Sequence, residues 1–72
     1  MDVDLSEARQ VKSELVQRLG GERRFAGVGL TVDANGRPSV QVNRTNGPPL
    51  SVEPEIRGVP VLQAVVGRAR AL

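Results

Sequence analysis

Seventy-two residues, a formal charge of +2, and no cysteine or histidine exclude most of the devices by which small domains hold themselves together. A domain of this size buries only about 60% of the surface its unfolded chain exposes, and it usually needs disulfides, a metal or a second subunit. Thiolate and imidazole chemistry is absent, the eight acidic residues are too scattered for a calcium loop, and no cofactor motif is present, so self-association is the staple left open.

Nine of the ten basic residues are arginine, and the excess over acids is small. No run of 18 apolar residues exists, and Met1-Asp2-Val3-Asp4 is acidic where a signal peptide is basic. These features predict no membrane partner and a cytoplasmic location. Phe25 is the single aromatic residue, so the core must come from Val, Leu, Ile and Ala. The abundance of valine favours strands, because β-branching restricts χ1 in helices.

In chain order, Asp4 reads as an N-cap with Glu7 completing a capping box and Val3 packing towards Ala8. A helix is predicted over residues 5–19, with Leu5, Ala8, Val11, Leu15, Val16 and Leu19 on one side. Gly20-Gly21 ends it, either glycine being able to take the left-handed C′ conformation, and Arg18 complements the dipole of the last turn.

A strand follows over residues 25–33, with Ala26, Val28, Leu30 and Val32 on one face and Phe25, Gly27, Gly29 and Thr31 on the other. A second strand over residues 38–44 places Val40 and Val42 on its apolar side. A two-residue Asn35-Gly36 loop would set Val32 against Ser39 and Leu30 against Gln41. A three-residue loop of Ala34, Asn35 and Gly36 pairs Leu30 with Val40 and Val28 with Val42, so the longer loop is predicted. It puts Gly36 at the left-handed position of a type I turn with a G1 bulge and sets Asp33 across from Arg37.

Residues 45–58, with three prolines and two glycines, read as a long loop with polyproline-like parts. Residues 59–66 read as a third strand, buried on two faces or paired centrally, and the basic GRARAL tail either frays or extends it. The whole reads as one α+β domain over residues 1–72. Its predicted architecture is an N-terminal helix packed on a small three- to four-stranded, mostly antiparallel sheet, in the order α-β-β-loop-β.

Three segments carry a resemblance: Phe25-Ala26-Gly27-Val28-Gly29-Leu30, Gly36-Arg37-Pro38-Ser39-Val40-Gln41-Val42, and Glu55-Ile56-Arg57-Gly58-Val59-Pro60-Val61. Together they resemble a short module at the start of some bacterial proteins of trypsin-like fold, with a GVGIG strand, a GxPAIxVxV strand and an EIDGVPV segment. The resemblance implies a bacterial accessory or interaction module. It carries over no catalytic or binding residue, and the second strand departs from the pattern at Asn43-Arg44-Thr45.

With no Cys, His or Tyr, the possible nucleophiles are unactivated Ser or Thr, or a carboxylate, so no enzyme activity is expected. Glu53 and Glu55 form a close acidic pair that reads as solvated charge. Gly27-Val28-Gly29 alternates within a strand instead of opening a helix, so it reads as a close-packing surface under the helix or a smooth face for a partner, not as a phosphate loop.

Function is expected to be that of a noncatalytic protein-interaction or regulatory module. Its nominated contact residues are Pro48, Pro49, Leu50 and Val52 in the proline-rich loop, or a free sheet edge open to a partner or a second copy. Two alternatives stand beside it. One is a small nucleic-acid-binding protein using Arg23, Arg24, Arg44, Arg57, Arg68 and Arg70, although stacking aromatics are missing. The other is a protease inhibitor presenting residues 46–54, which competes with Leu50, Val52 and Ile56 folding back to cap the core.

Overall fold

The computed structural model describes residues 5–66. The Asp4 cap, the Val3 staple, and Arg68 and Arg70 of the tail lie outside the described residues. The helix α1 (Leu5–Leu19) is followed by β1 (Phe25–Val32), β2 (Pro38–Arg44), β3 (Glu55–Ile56) and β4 (Val59–Val65). The strands form one four-stranded sheet in the order β1-β2-β4-β3. Two of the three pairings are antiparallel, and β2 with β4 is parallel. This is the expected α+β architecture with one additional short strand.

The helix buries Ala8, Val11, Leu15 and Leu19, a stripe recurring every three or four residues. Leu5 and Val16, expected on that stripe, lie off it and are about half exposed. Nor does either glycine end the helix in a left-handed conformation, since neither Gly20 nor Gly21 has positive φ. A turn ends it instead, with the Glu22 N–H donating to the Leu19 carbonyl at 2.9 Å.

The first hairpin has the expected register: Leu30 pairs with Val40 and Val28 with Val42. Asp33 N–H donates to the Arg37 carbonyl at 3.0 Å and Gly36 N–H to the Asp33 carbonyl at 3.0 Å, with Gly36 at φ +78°. The Asp33 carboxylate completes the turn by accepting from the N–H groups of Asn35 and Arg37, each at 2.9 Å.

At its other end the hairpin departs from strict alternation. Phe25 pairs with Arg44 and Gly27 with Asn43, so the ladder shifts by one residue at Ala26. This β-bulge turns Phe25 onto the face of Val28 and Leu30, correcting its expected place beside Gly27 and Gly29. Phe25 and Val28 both pack against the core. One apolar residue that strict alternation would leave outside is thereby recovered for burial.

Val40, Val42, Val59 and Val61 meet the helix stripe in a single buried cluster that also takes in Leu50. The helix therefore covers one face of the sheet, and on the other face burial is confined to Ser39 and Pro60. The other face carries Gly27, Gly29, Thr31, Gln41 and Asn43, and a Cβ added at Gly27 or Gly29 would meet nothing within 4 Å. The helix does not lie on those glycines, contrary to the close-packing expectation.

Residues 45–58 are the crossover that a parallel β2–β4 pair requires, since such a connection takes about a dozen residues or more. Its end is not loop. Glu55 and Ile56 pair with Pro60 and Val59 across a two-residue turn, making β4 an interior strand as anticipated. Burial on both faces holds only for Val59, Pro60 and Val61, and Leu62 and Val65 are exposed. Among the described residues no helix is long and apolar enough to cross a membrane.

Gly27 and Gly29 allow a controlled comparison, because both have open space at Cβ but only Gly27 has positive φ, at +147°. Gly29→Ala is expected to be neutral or stabilising by up to about 1 kcal/mol, and Gly27→Ala to destabilise by about 1 kcal/mol or more. Urea unfolding of the two variants measures this; equal effects would remove the bulge as a backbone constraint.

Candidate functional site

The proline-rich loop is tethered at almost every turn. Arg24 Nη1 donates to the Pro48 carbonyl at 2.6 Å, and Arg44 Nη1 to the Gly47 carbonyl at 2.7 Å. Gln63 then grips Leu50 twice: its Oε1 accepts from Leu50 N–H at 2.9 Å and its Nε2 donates to the Leu50 carbonyl at 3.0 Å. Arg44 Nε donates to the same Gln63 Oε1 at 3.0 Å, orienting the amide. Leu50 is only 5% exposed and belongs to the core, with Val52 and Ile56 packed against it. Of the four nominated contact residues, only Pro48 and Pro49 are exposed.

Among the described residues the nominated arginines do not form one patch. Arg24 and Arg44 converge on the proline loop, and Arg23 lies exposed at the helix-to-strand connection. Arg57 lies elsewhere, clamped to α1 through Nε to Glu7 at 3.3 Å and through Nη1 to Glu14 at 3.2 Å, with Nη2 also bound to Glu14. Arg57 sits at φ +49° beside Gly58 at φ +83°. These left-handed residues make the β3–β4 turn a primed type, which matches sheet twist but strains a residue that carries Cβ. An Ile-Arg-Gly-Val sequence was the available signal for this hairpin, masked by arginine standing where Asn or Asp is usual.

The surface that the sequence indicated only in outline is the β1 edge. Because the Asp33–Arg37 pair is hydrogen-bonded, alternation in an antiparallel ladder makes Val28, Leu30 and Val32 non-bonded positions relative to β2. Their N–H and C=O groups point to the free edge. The same arrangement tolerates Pro38 opposite Val32, since no N–H is needed there. Beside this edge Arg9, Lys12, Ser13, Val16 and Gln17 of α1 and Leu30 of β1 line an open groove of about 540 Å³. Val32, on the same face two residues on, is 60% exposed.

The charges of α1 divide between its flanks. Glu7 and Glu14 engage Arg57, and Arg18 engages Glu53, so Glu53 is not a simple solvated charge. Arg9 and Lys12 make no ion pair among the described residues and are the only charged residues of the groove. No group of three or more acidic residues able to hold a metal occurs among the described residues. No protein-family model matches this chain, and neither a curated protein nor a solved structure matches it.

Several carboxyls titrate below their ordinary range. The Arg37 backbone N–H, with the Arg37 guanidinium and the Asn35 N–H, lowers Asp33 against an opposing effect of desolvation. Hydrogen bonds from Arg57 lower Glu14, and those from Arg18 lower Glu53. A carboxyl with a lowered pKa in the folded state stabilises above its unfolded pKa, about 4, and loses that contribution as pH falls through the folded value. Tm is therefore expected to be higher at pH 7 than at pH 3, with the difference reduced in Asp33→Asn. An undiminished difference would place the acid sensitivity elsewhere.

At position 57, Arg57→Asn and Arg57→Ala both remove the ion pairs, but asparagine tolerates the left-handed turn better. Thermal melts are expected to rank Asn above Ala. The reverse order would mean that the turn carries no backbone strain.

Proposed function

We propose that this chain is a noncatalytic protein-interaction module that binds an extended segment of a partner along the β1 edge. The observation that carries the reading is the edge at Val28, Leu30 and Val32, which no other described strand pairs, bordered by the exposed apolar side chains of Leu30, Val32 and Val16. Natural sheets commonly blunt such edges with charge, proline, bulges or a covering element. Here the bulge at Ala26 protects one end, and nothing charged interrupts residues 26–32. Strand addition supplies affinity through main-chain hydrogen bonds and specificity through alternate side chains.

The chemistry of the chain supports the noncatalytic part, since no Cys, His or Tyr is available as nucleophile or base. The proline loop is the weaker candidate surface, because Gly47, Pro48 and Leu50 spend their backbone groups on Arg44, Arg24 and Gln63. The nucleic-acid reading is weakened in the same way at Arg57, whose charge two glutamates match.

A random peptide library panned against the immobilised chain tests the reading. Selected peptides are expected to lose binding to Val32→Lys and to Leu30→Pro, the latter removing an outward-facing N–H. Binding that survives both changes in folded variants places the interaction elsewhere.

A further inference from the structure

Resting on the strand-addition reading, we infer that the β1 edge is specific for an acidic extended peptide in which a carboxylate stands two residues from an apolar side chain. A strand added outside β1 continues the sheet, and its alternate side chains rise on the helix side, into the groove between α1 and the new strand. Val16 and Leu30 offer that side apolar surface, 44% and 38% exposed. Arg9 and Lys12 stand three residues apart on α1, as neighbours on one helix flank. An apolar side chain at one groove-facing position covers Val16 and Leu30, and an acidic one at the next reaches the two cations.

The distribution of charge separates this occupant from a second copy. Two copies joined antiparallel through β1 would continue one sheet with both helices on the same face. Their grooves would then open towards each other, bringing two positively charged helix flanks together. Like charges so placed oppose pairing, and the groove contains no acidic residue to offset them. The acids of α1 cannot serve, since Glu7 and Glu14 are drawn to the other flank by Arg57. A basic peptide meets the same repulsion. The groove volume, about 540 Å³, is within the range of about 300–1,000 Å³ over which clefts hold compact ligands.

The test uses the whole chain and two labelled peptides, Thr-Glu-Thr-Leu-Thr-Glu-Thr and its counterpart with Lys in place of Glu, titrated by fluorescence anisotropy at low and moderate salt. The Glu peptide is expected to bind the wild-type chain at least about tenfold more tightly than the Lys peptide, a difference of about 1.4 kcal/mol, and the gap should shrink with salt. In Arg9→Glu/Lys12→Glu the preference is expected to reverse, and in Arg9→Gln/Lys12→Gln to vanish, with circular dichroism confirming the fold of each.

Equal binding of both peptides that is lost in Val32→Lys overturns the acidic preference and leaves strand addition standing. Binding of neither peptide up to millimolar concentration overturns both. Concentration-dependent dimerisation abolished by Val32→Lys identifies a second copy as the occupant and overturns the inference.

Discussion

The fold turns on a proline-rich crossover that must set one residue, Leu50, in the core while returning the chain to make a parallel sheet. Because β2 and β4 run the same way, residues 45–58 must return the chain to the starting end of the sheet, and Leu50 enters the core on the way. A buried residue outside helix and strand leaves its peptide groups without ladder partners, and each unpaired group costs about 1–3 kcal/mol. Gln63 answers with an amide that copies a neighbouring strand, accepting from one Leu50 group and donating to the other. Its place on β4, opposite Val42 of β2, makes that possible only once the parallel pair has formed. Topology and polar satisfaction therefore depend on each other at a single side chain.

Around this point the arginines act mainly as structural cross-links. Arg24, just before β1, and Arg44 of β2 tie the crossover to the first hairpin, Arg57 ties the second hairpin to α1, and Arg18 ties the crossover to the end of α1. Exposed ion pairs taken singly contribute little, but these join segments distant in sequence and set how the helix sits over the sheet. In a chain without disulfides and with one aromatic ring, fork-shaped guanidinium groups give directional links that lysine gives less well. They also leave α1 with unequal flanks.

Much of the fold was legible where a local rule had one solution. The helix followed from spacing, and the hairpin register followed from the parity of Val28, Leu30, Val40 and Val42 together with the demand for glycine at Gly36. What escaped involved a competition that the linear sequence does not display. The bulge at Ala26 arises because burying Phe25 outweighs strict alternation. β3 escaped because Arg57 occupies a turn position where asparagine is usual, held there by two glutamates 50 and 43 positions away. For the candidate site, a free edge was foreseeable in kind but not in place, since strand order depended on the parallel pairing. Pro48, Pro49, Leu50 and Val52 resemble an exposed proline loop that binds partners, whereas Arg24 and Arg44 hold its backbone and Gln63 seats Leu50 in the core.

The order β1-β2-β4-β3 also shapes how the chain reaches its folded state. Each hairpin closes locally, across three residues in one case and two in the other, on a timescale of about 1–10 μs. Joining them requires closure of the crossover, and non-local pairing of this kind slows folding. Until that happens, β2 presents Val40 and Val42 along an unpaired border that the native sheet conceals. During synthesis the N-terminal half emerges first and must wait for β4, so the interval before residues 59–65 arrive is when the growing chain is most open to mispairing with its neighbours.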